Sequence, residues 1–369
     1  MAGITWGING HPFVSYGGVS LAGQVDLVKQ MGLNSYRVDI YNSSQNSMKT
    51  LSTLIAEGKE KDVDILPVLA LHPSDYKNES TAYQAGKAMA SAYAKAFHGM
   101  TWELGNETDN FAIKGPSVSG ASRSDYDDAR YAIDRGLLKG MYDGIKQADP
   151  TSKAVIDNAG WHHYGFLQRL AADNVKWDIT GQHWYSDQGS ITNVGGGGVN
   201  ALEMLKAFGK PIWITEVSAR PGTLTNQTEG QWLTKTMADW NGLASKYNIQ
   251  AAHIYELLDQ PHLAPDPAAK YGIASPSGAL KPAGTDVKNF FENGSAVLAA
   301  SGAYDDAMDL GLLRSGSQTA EAAAAGEAPL VATTVAAIDD RDATPDAAHL
   351  ITPLEHIGVS QFDMAYGHA

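Results

Sequence analysis

Eight short apolar runs, each closed by polar or glycine-rich residues and each followed by a stretch with helical spacing, constrain this chain more than any other feature. Strands are expected at "ITWGING", "SYRVDIY", "DILPVLALH", "TWELGNE", "KAVIDNAG", "DITGQHWY", "PIWITEVSA" and "IQAAHIYELLD". Helices are expected between and after them, near residues 20–32, 45–60, 80–98, 125–149, 161–174, 199–209, 225–247 and 284–293. Strict alternation means parallel strands joined by helical crossovers. An open doubly wound sheet would carry a glycine-rich dinucleotide turn after its first strand, and none is present. The fold class is therefore α/β, a (β/α)8 TIM barrel, for which a chain of 369 residues is long enough, since such barrels use about 200 to more than 400 residues.

After Asn293 the composition turns to Ala, Gly, Ser and Asp, as in "TAEAAAAGEAP" and "AAIDDRDATPDAA". Such a segment buries too little apolar surface to offset its ordering entropy. A barrel domain over 1–294 is thus expected to precede a largely disordered, acidic, Ala-rich C-terminal tail over 295–369, a candidate export or anchoring signal. From Ser301 onward the tail holds eleven Asp and Glu against Arg314 and Arg341, which is −9 of the total charge of −14. No basic stripe invites nucleic acid. No long apolar run suggests a membrane span, and the chain is expected to be a monomer. Cysteine is absent, which excludes disulfides, thiolate metal sites and cysteine nucleophiles.

In a TIM barrel the chemistry sits at the carboxyl ends of the strands, so the residues closing each strand are the candidates. The fourth run ends in Asn106 and Glu107, the seventh in Glu216. Two glutamates in those places can face each other across the barrel mouth, one as general acid/base and the other as nucleophile. Arg37 interrupts the apolar second run, and a buried guanidinium must find an acid. Glu216 and Glu103 are the natural partners, with neighbouring Asp39 the bland alternative. His72 closes the third run, and His183, Trp184 and Tyr185 close the sixth. Trp161, Trp184 and Tyr255 offer aromatic faces for sugar rings. Trp6, Trp102 and Trp213 sit early or mid-strand and read as core.

The segments "WELGNE" and, about 110 residues later, "ITE", together with "YRVDI", resemble clan A of the glycoside hydrolases, nearest to families 39 and 5. The resemblance covers roughly residues 4–293 in strand order. It implies a retaining hydrolase of β-glycosidic bonds in a poly- or oligosaccharide, with Glu107 as acid/base and Glu216 as nucleophile. It further implies that Asn106 bonds the sugar 2-hydroxyl, that Arg37 keeps the nucleophile ionised, and that Glu103 is a supporting acid. His183 or Tyr185 would orient the nucleophile or touch the sugar. Many clan members place a tryptophan at the end of strand 8; here "HIYELLDQP" offers Tyr255 instead.

A second reading is a carbohydrate-binding barrel without catalysis, favoured by that missing tryptophan. A third is a metal-dependent isomerase or lyase using His72, His162 and His183, although their spacing matches no metal motif. No cofactor is expected: "GGGG", Gly195 to Gly198, lacks the lysine and threonine of a phosphate-binding loop and reads as a flexible loop over the cleft. The N-terminus lacks the basic and apolar regions of a secretory signal. An extracellular or cell-surface location by a leaderless route suits a polymer-cleaving enzyme, with the cytoplasm as the alternative.

Overall fold

The structure is a computed structural model and describes residues 3–293 apart from Ser15 and Pro221. The chain divides into two units, Met1–Leu298 and Ala299–Ala369. The tail expected over 295–369 lies outside the described residues.

Eight parallel strands close into a barrel: β1 (Thr5–Gly10), β2 (Ser35–Ile40), β3 (Asp64–Leu69), β4 (Thr101–Leu104), β5 (Lys153–Ile156), β6 (Ile179–Tyr185), β7 (Ile212–Ser218) and β8 (Ile249–Ile254). Each pairs with its neighbours in chain order, and β8 returns to β1 through Thr5 opposite Ala251 and Ile8 opposite Ile254. The intervening helices are α1 (Leu21–Gln30), α2 (Gln45–Lys61), α3 (Glu79–Ala96), α4 (Asp128–Ala148), α5 (Tyr164–Ala172), α6 (Ala201–Lys206) and α7 (Glu229–Tyr247). An eighth, α8, runs over 282–293. Their starts follow from side chains that satisfy first-turn amides: Ser20, Ser44 and Asp127 cap α1, α2 and α4, while Asn78 and Thr228 close capping boxes on α3 and α7. None of the described helices is long and apolar enough to cross a membrane.

The strands stop sooner than their apolar runs suggest. The fourth run continues to Glu107, yet β4 ends at Leu104, because Gly105 and Glu107 both take positive φ, 76° and 45°. That break takes the chain out of the pleat, so Asn106 and Glu107 need not point to opposite sides. On β7, Gln182 pairs with Ile214 and His183 with Glu216, which leaves Thr215 as an extra residue. Such a bulge re-aims the side chain beside it. Here it brings Glu216 into register with His183.

Helices α3 and α4 pack closely along a stripe of glycines. A Cβ on Gly136 would meet the Glu79 carbonyl oxygen at 2.3 Å, one on Gly140 the Tyr83 oxygen at 2.1 Å, and one on Gly144 the Lys87 oxygen at 2.6 Å. Because these obstacles are backbone, a side chain there must push the helices apart. Gly140→Ala is therefore expected to cost about 1–3 kcal/mol through overpacking. A urea midpoint equal to the wild-type value would show that the helices part freely.

Candidate active site

Arg37 is the hub. Its side chain is 1% exposed, so every polar atom needs a partner. Nε donates to Glu103 Oε2 (2.6 Å) and Nη2 to Glu103 Oε1 (3.2 Å). Nη1 donates to Glu216 Oε1 (2.9 Å) and to Asn9 Oδ1 (2.6 Å), and Nη2 also donates to Asn106 Oδ1 (2.6 Å). Neighbouring Asp39 takes no hydrogen bond from this guanidinium; it pairs with His11 at 3.1 Å. Strand pleating explains the choice, since Arg37 lies opposite Asn9 in the register of β1 with β2, one layer below His11 and Asp39.

His183 forms the second junction. Nδ1 donates to Glu107 Oε1 at 2.8 Å and lies 3.3 Å from Glu216 Oε2. Nε2 lies 3.1 Å from Asp157 Oδ2, a charge contact that lacks the alignment of a hydrogen bond. Glu107 and Glu216 thus share one imidazole, and their nearest carboxylate oxygens lie within 4.8 Å. Tyr185 donates its hydroxyl to Glu216 Oε2 at 2.5 Å. Glu107 also accepts from Asn110 Nδ2 at 2.9 Å, and its amide donates to Asp157 Oδ1 at 3.2 Å.

Four carboxylates, those of Glu103, Glu107, Asp157 and Glu216, surround two cations, which sets the electrostatics. Burial works against charging His183, but the Glu216 charge, with Asp157 and Glu107, outweighs it and raises the imidazole well above its usual range. Burial pushes Glu103 up to about 7, with Asp157 adding to it against the pull of Arg37. For Glu216, burial outweighs the lowering by His183 and Arg37, and Glu107 adds to the rise. Glu107 moves the other way: burial favours its neutral form, yet the His183 hydrogen bond and charge hold it below the usual carboxylate range. Glu107, His183 and Glu216 titrate as one unit. These directions favour the proton on the imidazole over Glu107.

Two residues singled out from the sequence stand elsewhere. His72 does not meet the carboxylates: β3 ends at Leu69, so His72 falls in the loop, exposed, with its ring bonded to Ser74 Oγ at 2.6 Å. Trp184 cannot stack on a sugar in the cleft, because alternation along β6 turns His183 and Tyr185 inward and Trp184 outward. There it is 1% exposed and donates Nε1–H to the Gly189 carbonyl at 2.9 Å. Trp161 stands at the rim, 37% exposed, with φ of 45°. Its ring lies against Gly195, where a Cβ would sit 3.3 Å from Cζ3. Tyr255 packs edge-on with Tyr185 and Tyr271, centroids 6.3 and 5.5 Å away, so tyrosines line the mouth beside Glu216.

Among the described residues, metal-ligating atoms converge in two groups, Glu103–Asp157–His183 and Glu107–His183–Glu216. Neither contains His72 or His162, so the histidine trio of the metal reading is not assembled. His72 is held by Ser74, and His162 packs edge-on against Tyr164.

Sequence reasoning passed over Asn9 and Asp157. The rule of inspecting the residue that closes each strand would have found Asp157, directly after "KAVI". It also passed over Asp109, which accepts from the Ala159 amide at 3.1 Å and pairs with His163 Nδ1 at 2.5 Å. That pair ties the loop carrying Glu107 to the loop carrying Trp161.

No protein-family model and no curated protein matches the chain. Solved structures do. A GH5_18 enzyme from Bifidobacterium longum subsp. infantis aligns with TM-score 0.60 and 16% identity, over 79% of this chain and 79% of that one. A GH5_18 structure from Streptomyces cattleya, in complex with GlcNAc, gives TM-score 0.59 and 18% identity over 79% of this chain and 80% of the other. A family 39 glycoside hydrolase from Bacteroides cellulosilyticus WH2 gives TM-score 0.55 and 14% identity, covering 77% of this chain and 62% of its own. The chain therefore shares its barrel fold with clan A glycoside hydrolases of families 5 and 39.

Proposed function

We propose that the protein is a retaining β-glycosidase acting on a poly- or oligosaccharide, with Glu216 as nucleophile and Glu107 as acid/base. The observation that carries this reading is the separation of the two carboxylates, whose nearest oxygens lie within 4.8 Å. Retaining enzymes hold their carboxyl groups about 5–5.5 Å apart, whereas inverting ones need about 6.5–9.5 Å to admit a water. Glu216 attacks the anomeric carbon while the Arg37 and Tyr185 hydrogen bonds aim it. Glu107 protonates the leaving oxygen. The proton it needs lies 2.8 Å away on His183, and it passes to Glu107 as the substrate displaces water and weakens the charge on the carboxylate. Once Glu216 is glycosylated its charge is gone, and with it the foremost support for the proton on His183. The neutral imidazole then takes back the proton that Glu107 removes from water, and a single shuttle serves both half-reactions.

The non-catalytic reading rested on the missing strand-8 tryptophan. Tyr185, Tyr255 and Tyr271 pack edge-on against one another at that side of the mouth, so aromatic side chains stand there without a tryptophan. The chemistry is assigned to residues 1–294, and an extracellular polymer is the substrate that suits an export role for the remaining tail. Proton NMR of the first product from a β-linked substrate should show the β-anomer before mutarotation, at the same initial rate for a chain ending at Asn293. An α-anomer appearing first would overturn retention, and loss of activity on truncation would place the tail within the catalytic unit.

A further inference from the structure

A second polar cluster lies at the barrel mouth, and the catalytic reading does not use it. In the register of β1 with β2, Asn9 lies opposite Arg37. His11 and Asp39 each follow by two residues, so they point inward one layer nearer the opening. His11 Nδ1 lies 3.1 Å from Asp39 Oδ2, and its Nε2 lies 3.2 Å from Glu256 Oε2, just past the end of β8. Glu256 is fully buried and fully served: Tyr16 donates its hydroxyl at 2.5 Å, and Gln260 Nε2 reaches both carboxylate oxygens at 3.0 Å. Asp39 differs. It is 8% exposed, its Oδ2 is used by His11 and Tyr41, and its Oδ1 is buried without a hydrogen-bond donor. An acceptor left over in so buried a place is costly unless something else supplies the hydrogen.

The Tyr255 ring stands between the cluster and the reacting groups. Tyr255 packs edge-on to His11 at 5.8 Å and to Tyr185 at 6.3 Å, and Tyr185 bonds Glu216. Its charge balance is also defined. Burial opposes charging His11, but Glu256 and Asp39 overcome it and push the imidazole up to about 10, so one positive charge meets two negative ones. The nearby arginines are committed, Arg37 to Glu103 and Glu216 and Arg220 to Asp187 at 3.0 Å.

We propose that His11 and Asp39 form a sugar-recognising subsite beside Glu216, which accepts a hydroxyl or ammonium hydrogen on Asp39 and rejects rings bearing a carboxylate or sulfate. The inference rests on reading the cleft as a sugar site, and it narrows the substrate class to neutral or amino sugars. Each hydrogen donated to Asp39 satisfies an oxygen that the protein leaves alone. An anionic substituent would meet the excess negative charge of Asp39 and Glu256, and among the described residues the arginines around the mouth already face carboxylates.

The test uses the full chain carrying Glu107→Gln, so that bound sugar is not consumed, on a printed array of neutral, amino, uronate-containing and sulfated oligosaccharides. Binding should be confined to the neutral and amino sets. Adding Asp39→Asn, which keeps shape and removes charge, should weaken that binding at least tenfold and narrow the gap between neutral and acidic glycans. His11→Gln provides the same comparison if the asparagine variant does not fold. Preferential capture of acidic glycans, binding to none, or a selectivity ratio within twofold of the parent in the folded variants overturns the subsite. Turnover by the otherwise wild-type chain decides the other reading: glycans bound with the expected selectivity but never cleaved sink the glycosidase alone, while cleavage with selectivity unmoved by Asp39→Asn sinks the subsite alone.

Discussion

Glu216→Ala should lose activity by a factor on the order of 10⁴ or more, since it removes the proposed nucleophile of the first step. The void left in the variant lies beside Tyr185 and Arg37, whose donors are then free to hold a small anion. Azide should enter it and attack the anomeric carbon, with Glu107 still protonating the leaving group. The product would be a glycosyl azide of inverted configuration. Glu107→Ala should behave differently: azide attacks the glycosyl enzyme after Glu216 has already acted, and the azide product is retained. Glu103→Gln serves as the control, because Glu103 faces Arg37 and not the opening. Unimpaired turnover by Glu216→Ala would end the assignment of the nucleophile, and matching azide products from the two variants would end the division of roles.

Arg37→Ala should be the most destabilising single change in the barrel, at about 3–5 kcal/mol, because it strands buried carboxylates instead of removing a balanced pair. Glu103 is fully buried and Glu216 is 5% exposed, so water cannot take over for the guanidinium. The loss should depend on pH in a defined direction. Burial already holds Glu103 up at about 7 with the arginine present, and removing the arginine raises it further above its unfolded value of about 4.3. A group whose folded pKa is raised contributes its stability at low pH and loses it as pH rises through the folded value. Urea midpoints should therefore place the variant near wild type at pH 5 and far below it at pH 8. A penalty independent of pH would mean that the cost is packing, not charge.

Much of this was legible along the chain, for identifiable reasons. Helices could be read from the periodicity of their apolar residues, and in the structure Ser20, Ser44, Asn78, Asp127 and Thr228 cap their starts. Arg37, Glu103, Glu107, His183 and Glu216 could be read because a charge in or closing an apolar run has few places to go. Strand ends could not, because an apolar run does not reveal where a positive φ such as that of Gly105 ends the pairing. His72 was misplaced by that error, with its strand ending three residues earlier. Trp184 was misplaced by looking at residue type without parity along the strand. Asn9 escaped because its importance lies in register, opposite Arg37 on the neighbouring strand, which no single segment displays.

The Arg37 and His183 network also divides in a telling way between the two ends of the chain. Asn9, Arg37, Glu103, Asn106 and Glu107 come from the first four strands and the loops that close them, whereas Asp157, His183, Tyr185 and Glu216 come from the last four. Neither half-barrel balances its own charge: the first sets Glu103 and Glu107 against Arg37, and the second sets Asp157 and Glu216 against His183. The buried polar cluster is thus also a clasp between halves. Two separately produced halves would have a built-in reason to find each other, and the return of glycosidase activity on mixing would report that the clasp had closed.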